Sequence, residues 1–254
     1  MPKTMIDWCP DPKELYRLTV FVQNDIDPPE GTATAAYLFG HTKFYESPIL
    51  SVGASLIKSG KTERLYLCKL APGYPYNGTA DDPTYPDFER WQEKLNMLLI
   101  PREDIHPIVS PIPKLSDEKF PISNTATEAY LLIKLAKNSG WKSVYVVTHP
   151  IHVLRAFTCA VSFAIRYYPE LRIYAKSGYP INSWVQSTIA NQGVVSGTRL
   201  DGAMDGEYER LNTRWDNEYD HVMAKEMLEY VRRRDSIVCT HPNCPAPHDA
   251  RHYH

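Results

Sequence analysis

The order of elements along this chain predicts an α/β protein with a Rossmann-like three-layer α/β/α architecture. About five mainly parallel strands and a C-terminal helical extension are expected. Three observations carry the prediction. Short apolar or β-branched runs alternate with longer amphipathic segments over residues 18–176. The clearest run, Ser143–Thr148 (SVYVVT), is followed almost at once by an apolar helix from Ile151 to about Tyr168. Such alternation implies right-handed crossovers that place helices on both faces of a parallel sheet.

The elements follow in order. Leu18–Val22 (LTVFV) reads as a first strand that ends at the polar turn Gln23-Asn24-Asp25. Ala33–Phe39 reads as the start of a helix, with Gly40 and Pro48 interrupting the path to residue 50. Ile49, Val52, Leu56 and Ile57 keep helical spacing, and Ser59-Gly60 supplies a stop. Arg64–Leu70 reads as a second strand. Ala71–Pro86 is rich in Pro, Gly, Tyr and Asp, and long irregular loops of this kind are often functional. Phe88, Trp91, Leu95, Leu98 and Leu99 mark a helix, and Ile105–Val109 a strand interrupted by Pro107. Thr125-Ala-Thr-Glu128 has a capping-box pattern ahead of an apolar helix that stops near Asn138-Ser139-Gly140. After Ser143–Thr148 and its helix, Leu171–Ala175 (LRIYA) reads as a fifth strand. Residues 177–213 lack periodicity, and Val222, Met223, Met227, Tyr230 and Val231 mark one more amphipathic helix. The expected division is a core over 1–176, an extension over 177–235 packed on it, and a Cys/His-rich tail over 236–254.

Composition narrows the function classes. A formal net charge of −2 argues against a nucleic-acid binder, which needs a broad basic surface. The run Arg232-Arg233-Arg234 reads as the favourable cationic end of a helix. No stretch approaches the roughly 18 uninterrupted apolar residues of a membrane helix. The amino-terminal MPKTMIDWCPDPKELYRL has no apolar signal core. Five cysteines form no tight framework. A soluble, cytoplasmic protein with reduced thiols is expected.

The candidate site gathers where Ser143–Thr148 ends, because open α/β sheets bind ligands at strand carboxyl ends. His149 follows that strand directly, and Thr148 closes it. His152 and Arg155 are three apart at the start of the next helix and share a face. A helix amino end favours anions, and Arg155 adds a planar cationic fork for carboxylate or phosphate. His152 is the candidate base. His149 reads either as its acid–base partner or as a turn residue shaped by Pro150. Asn124, Thr125 and Glu128 are candidate ligand-binding residues; capping alone would also account for Thr125 and Glu128, but less well for Asn124. Glu128 is also the partner considered for Arg155. Asn24 and Asp25 follow the first expected strand, where Asp25 could act as base or simply be a solvated turn carboxylate. Lys69, Tyr74, Tyr76 and Asn77 lie in or beside the irregular second loop. In the tail, Cys239, His241, Cys244 and His248 offer four metal ligands in ten residues. One zinc ion and a disordered tail that binds metal adventitiously are both open readings.

Asn124-Thr125 with Glu128, then Val146-Val147-Thr148, His152 and Arg155, resembles the YdcF-like domain of bacterial proteins. Pro101-x-x-x-Ile105 is similar to that family's middle section, and the resemblance spans Leu18 to about Ala175. Departures lie in the first half. Gln23-Asn24-Asp25 stands where glycines are usual, Ala71-Pro72-Gly73 replaces a Ser-Gly-Gly turn, and His149 replaces a Ser. The resemblance implies a Rossmann-like fold and a pocket at the sheet's carboxyl edge. It also implies nucleotide or S-adenosylmethionine binding. The combined expectation is a hydrolase or group transferase acting on an anionic or nucleotide-like small molecule. A non-catalytic binding module for S-adenosylmethionine or a nucleotide is the alternative.

Overall fold

A computed structural model describes residues 4–5, 7–40, 43–71, 88–110, 125–178, 188–189, 195–196, 207–214 and 221–236. The central sheet has strands β1 (Ala35–Leu38), β2 (Leu65–Leu70), β3 (Ile105–Ser110), β4 (Ser143–Thr148) and β5 (Arg172–Ser177). Their spatial order is β3-β2-β1-β4-β5, and every neighbouring pair is parallel. The helices are α1 (Pro12–Gln23), α2 (Lys43–Lys58), α3 (Phe88–Met97), α4 (Thr125–Asn138), α5 (Pro150–Tyr167), the short α6 (Tyr208–Asn212) and α7 (Ala224–Ser236). The expected three-layer α/β fold with a five-stranded parallel sheet is present.

Strand β4 shows why the sequence folds this way. All six of its residues are buried, as a parallel strand covered on both faces requires. Val144 and Val146 pack with Leu18, Leu132, Phe157 and Met227 on one face. Tyr145 and Val147 pack with Ile49, Leu56 and Trp91 on the other. Pro107 is tolerated because β3 is an edge strand. Helix α2 approaches β1 closely through Gly53, where a Cβ would lie 2.7 Å from Leu38 Cδ2.

Two expected elements are corrected. Leu18–Val22 is not a strand but the second half of α1, with Leu18 and Val22 buried. A five-residue apolar run suits either element, and the helix is decided upstream of it. Asp11 Oδ1 accepts from the Lys13 N–H at 2.8 Å, and Pro12 occupies the first turn. Ala33–Phe39 is not a helix, because Ala35–Leu38 form the central strand. Burial on both faces overrides the helical propensity of Ala35 and Ala36. The first strand therefore ends at Phe39-Gly40, not at Gln23-Asn24-Asp25.

Helix α7 closes the outer edge of β5 with side chains. The Tyr230 hydroxyl accepts from the Ile173 N–H and donates to the Leu171 carbonyl, both at 2.8 Å. Arg234 Nη1 donates to the Ile173 carbonyl at 2.7 Å. Asp25 Oδ2 accepts from the Ala175 N–H at 2.7 Å. Edge groups satisfied in this way are denied to another strand. Arg234 also grips Asp25 with two bonds, Nη1–Oδ2 at 2.8 Å and Nη2–Oδ1 at 2.7 Å. Its guanidinium lies 4.4 Å from the Tyr174 ring centre and 5.1 Å from that of Phe21. The run Arg232-Arg233-Arg234 does lie at the carboxyl end of α7, as expected, and Arg234 is in addition part of the core.

Candidate active site

The chain leaves β1 outward to β2 and β3, then returns to the other side of β1 for β4 and β5. The carboxyl ends of β1 and β4 thus flank the switch point where sheets of this order open a ligand crevice. Phe39 and Gly40 end β1, Thr148 and His149 end β4, and the amino ends of α4 and α5 lie beside them. Helix α4 crosses α5 extensively. That packing brings Thr125 and Glu128 to His152 and Arg155.

A chain of close polar contacts runs through these residues. Thr125 Oγ1 lies 2.7 Å from Arg155 Nη1 and 3.2 Å from His152 Nε2. Arginine only donates, so Thr125 Oγ1 accepts from Nη1, and its hydroxyl proton is available to Nε2 when the imidazole carries its own proton on Nδ1. His152 Nδ1 lies 3.0 Å from both Glu207 Oε2 and Arg155 Nη2, so with its proton it donates to Glu207 and without it accepts from Arg155. Arg155 Nε also donates to Glu207 Oε2, and its Nη2 lies 3.4 Å from Oε1. Thr125, His152 and Glu207 are all buried. Burial raises the Glu207 pKa, but the Arg155 charge and then His152 outweigh it and hold the carboxyl well below its usual range. The result is a carboxylate–imidazole–hydroxyl arrangement, the geometry that makes an alcohol a nucleophile.

Glu128 stands one turn along α4 from Thr125. Its Oε2 accepts from the Tyr37 hydroxyl at 2.7 Å and from the Gly40 N–H at 3.2 Å. Capping therefore does not account for Thr125 or Glu128, since the first reaches α5 and the second reaches the end of β1. Arg155 pairs with Glu207 rather than with Glu128. Burial pushes the Glu128 pKa up to about 7, against the opposing hydrogen bonds from Tyr37 and Gly40 and the charge of Arg155.

This shift has a consequence for stability. Folded protein keeps the Glu128 proton to about pH 7, whereas the unfolded chain releases it near 4.5, the ordinary value for a glutamate. Between those values the folded state binds more protons, so stability falls as pH rises and levels off above the window. The expected drop is on the order of 3 kcal/mol. Urea midpoints of the wild type and of Glu128→Gln between about pH 4 and pH 8 check this. The wild type should lose stability relative to the variant across the window, and parallel curves would contradict it.

The other expected site residues are distributed unevenly. His149 is buried and caps α5, its Nδ1 accepting from the Ile151 N–H at 3.3 Å. Its carbonyl accepts from the His152 N–H at 2.9 Å. Thr148 is buried at the end of β4, and its Oγ1 has no hydrogen-bond partner among the described residues. Asn24 caps its own helix, its side chain donating to the Val20 carbonyl at 2.9 Å. Asp25 follows a helix and lies on the outer edge of β5, held by Arg234 and the Ala175 N–H. The strand that was to aim both residues at the ligand is absent, so neither stands at the switch point. Asn124 and the tail ligands Cys239, His241, Cys244 and His248 lie outside the described residues, as do Tyr74, Tyr76 and Asn77. Among the described residues no three His, Cys, Asp or Glu groups gather to hold a metal ion. No helix among them is long and apolar enough to cross a membrane.

Glu207 is the site member that sequence reasoning missed. It falls in the aperiodic stretch after β5, where no motif or spacing marks a carboxylate as reaching back to α5. Comparison with protein-family models, curated proteins and solved structures gives no match for the chain.

Proposed function

We propose that this chain is a hydrolase or group transferase acting on an anionic or nucleotide-like small molecule at the carboxyl edge of its sheet. The Thr125–His152–Glu207 arrangement is the single observation that carries the reading. Thr125 supplies the nucleophile and His152 takes its proton. Glu207 holds the imidazole in the required tautomer and offsets the charge that forms on it. Arg155 donates to the same hydroxyl, which favours its alkoxide form. The amino ends of α4 and α5 add the positive dipole ends that suit an anion.

Kinship with the YdcF-like group belongs to this reading. Its support is that the residues carrying the resemblance, Thr125, Glu128, His152 and Arg155, gather at one sheet edge. A soluble, cytoplasmic protein is also part of the reading, supported by the buried Cys9, Cys68 and Cys159, which form no disulfide among the described residues.

The experiment is a thermal-shift screen of nucleotides, sugar phosphates and S-adenosylmethionine, followed by mass spectrometry of each hit for product. Turnover that disappears in His152→Ala is the expected result. A hit bound without any product over long incubation would replace the enzyme with a binding module. In Arg155→Ala an anionic hit should bind at least about tenfold more weakly, the scale of a lost charge-assisted bond.

A further inference from the structure

A displacement reaction has a leaving group as well as a nucleophile, and the helix that presents Thr125 also carries a second acid. Glu128 lies three residues beyond Thr125 in α4. At that spacing two side chains share a face, about 5–6 Å apart at Cβ. Both bonds to the Glu128 carboxyl arrive at the same oxygen, Oε2. The Gly40 N–H can only donate, and the Tyr37 hydroxyl donates beside it. Oε2 already accepts twice, so the proton that this carboxyl keeps below about pH 7 sits on Oε1. Among the described residues no hydrogen bond reaches Oε1, and Oε1 is not one of the fully buried unpaired atoms, although the residue is only 3% exposed. An O–H in that position is open to a ligand oxygen.

We propose that Glu128 is a catalytic proton donor of this site, giving its Oε1 proton to the leaving oxygen of a phosphate ester while Thr125 Oγ attacks phosphorus. The proposal rests on the nucleophile reading given above. Phosphorus is the electrophile that requires two separate groups. In-line displacement sets the attacking and leaving oxygens on opposite sides. His152, which takes the nucleophile's proton, therefore stands on the wrong side to serve the leaving group. In acyl transfer one imidazole serves both oxygens in turn, and a second acid has no task. Charge agrees. Glu207 is offset by Arg155, and a neutral Glu128 leaves no uncompensated negative charge facing a phosphate.

The steps balance. As the Thr125 Oγ–P bond forms and the P–O bond to the leaving group breaks, the hydroxyl proton passes to His152 Nε2. The Glu128 proton passes to the departing oxygen, which leaves as an alcohol. Water then attacks phosphorus and gives a proton to the Glu128 carboxylate. His152 returns its proton to Thr125 Oγ as that ester bond breaks, and phosphate leaves. An acceptor alcohol in place of water makes the same sequence a transfer.

The test uses p-nitrophenyl phosphate, whose leaving group departs without a proton, and phenyl phosphate, whose leaving group needs one. In the first turnover, before water attacks the phosphoenzyme, Glu128→Gln is expected to slow release of phenol from phenyl phosphate by about 100-fold or more, and release of p-nitrophenol at least about ten times less. With phenyl phosphate the wild-type rate should fall as pH rises above about 7, where the donor is lost, and the variant should lack this limb. Equal slowing of both probes overturns Glu128 as donor and leaves the Thr125–His152 reading standing. No wild-type turnover of either probe overturns the phosphoryl step itself. A series of aryl phosphates with wild-type protein gives a reading that needs no variant. Rates nearly independent of the phenol's acidity support the donor, and a steep dependence overturns it.

Discussion

Arg234→Ala is expected to cost about 3–5 kcal/mol of folding stability, a large share of what a domain possesses. The guanidinium it removes is buried against Tyr174 and Phe21 and holds both oxygens of Asp25. Truncation leaves the Asp25 carboxylate in the core with only the Ala175 N–H, besides opening a cavity. It also frees the Ile173 carbonyl at the sheet edge. Removing both charges should do less harm than removing one, because the cost lies mainly in the uncompensated ion. Arg234→Met with Asp25→Asn is therefore expected to regain more than half of the loss. Urea unfolding of the single and double variants measures this, and losses that simply add would contradict it.

Glu207→Gln is expected to lower kcat with p-nitrophenyl phosphate by about 10²- to 10⁴-fold while KM changes by only a few-fold. The variant keeps the size of the side chain and removes the charge that offsets the imidazolium. Glutamine can also present an N–H to His152 Nδ1, which favours the wrong tautomer. Glu207 acts through His152, so a plain structural role must be distinguished from positioning. The pH profile does this. Without the negative charge His152 gives up its proton more readily, so the acidic limb of the residual rate should move to lower pH. A variant that folds as the wild type does, but keeps both kcat and the acidic limb, would remove Glu207 from the reaction.

The second half of the fold was more legible than the first, for physical reasons. Ser143–Thr148 is long, β-branched and bounded by Gly140 upstream and Pro150 downstream, so pattern and punctuation agree. Leu18–Val22 has only five apolar residues, and a run that short fits one helix face as well as a strand. Ala35 and Ala36 favour helices locally, but their place at the centre of the sheet depends on residues far along the chain. That single exchange moved the expected ligand edge to Asn24 and Asp25 and away from Phe39 and Gly40.

Of the site, His152 and Arg155 could be read because a strand end and a helix start flank them in sequence. Thr125 and Glu128 could be read as residues but not as roles, since a local cap explains their spacing as well as a tertiary contact does. Glu207 and Arg234 were invisible for a common reason. Each is buried only because a segment after β5 folds back onto the core, and nothing local in the sequence records where it lands.

The most direct test of Thr125 as nucleophile is to quench the protein in acid during turnover of p-nitrophenyl phosphate and map its peptides by mass spectrometry. A phosphoryl group on Thr125 in the wild type, absent from His152→Ala and Thr125→Val, is the expected result. A phosphoryl group found only on another residue, or turnover that persists in Thr125→Val, would contradict the role given to this site.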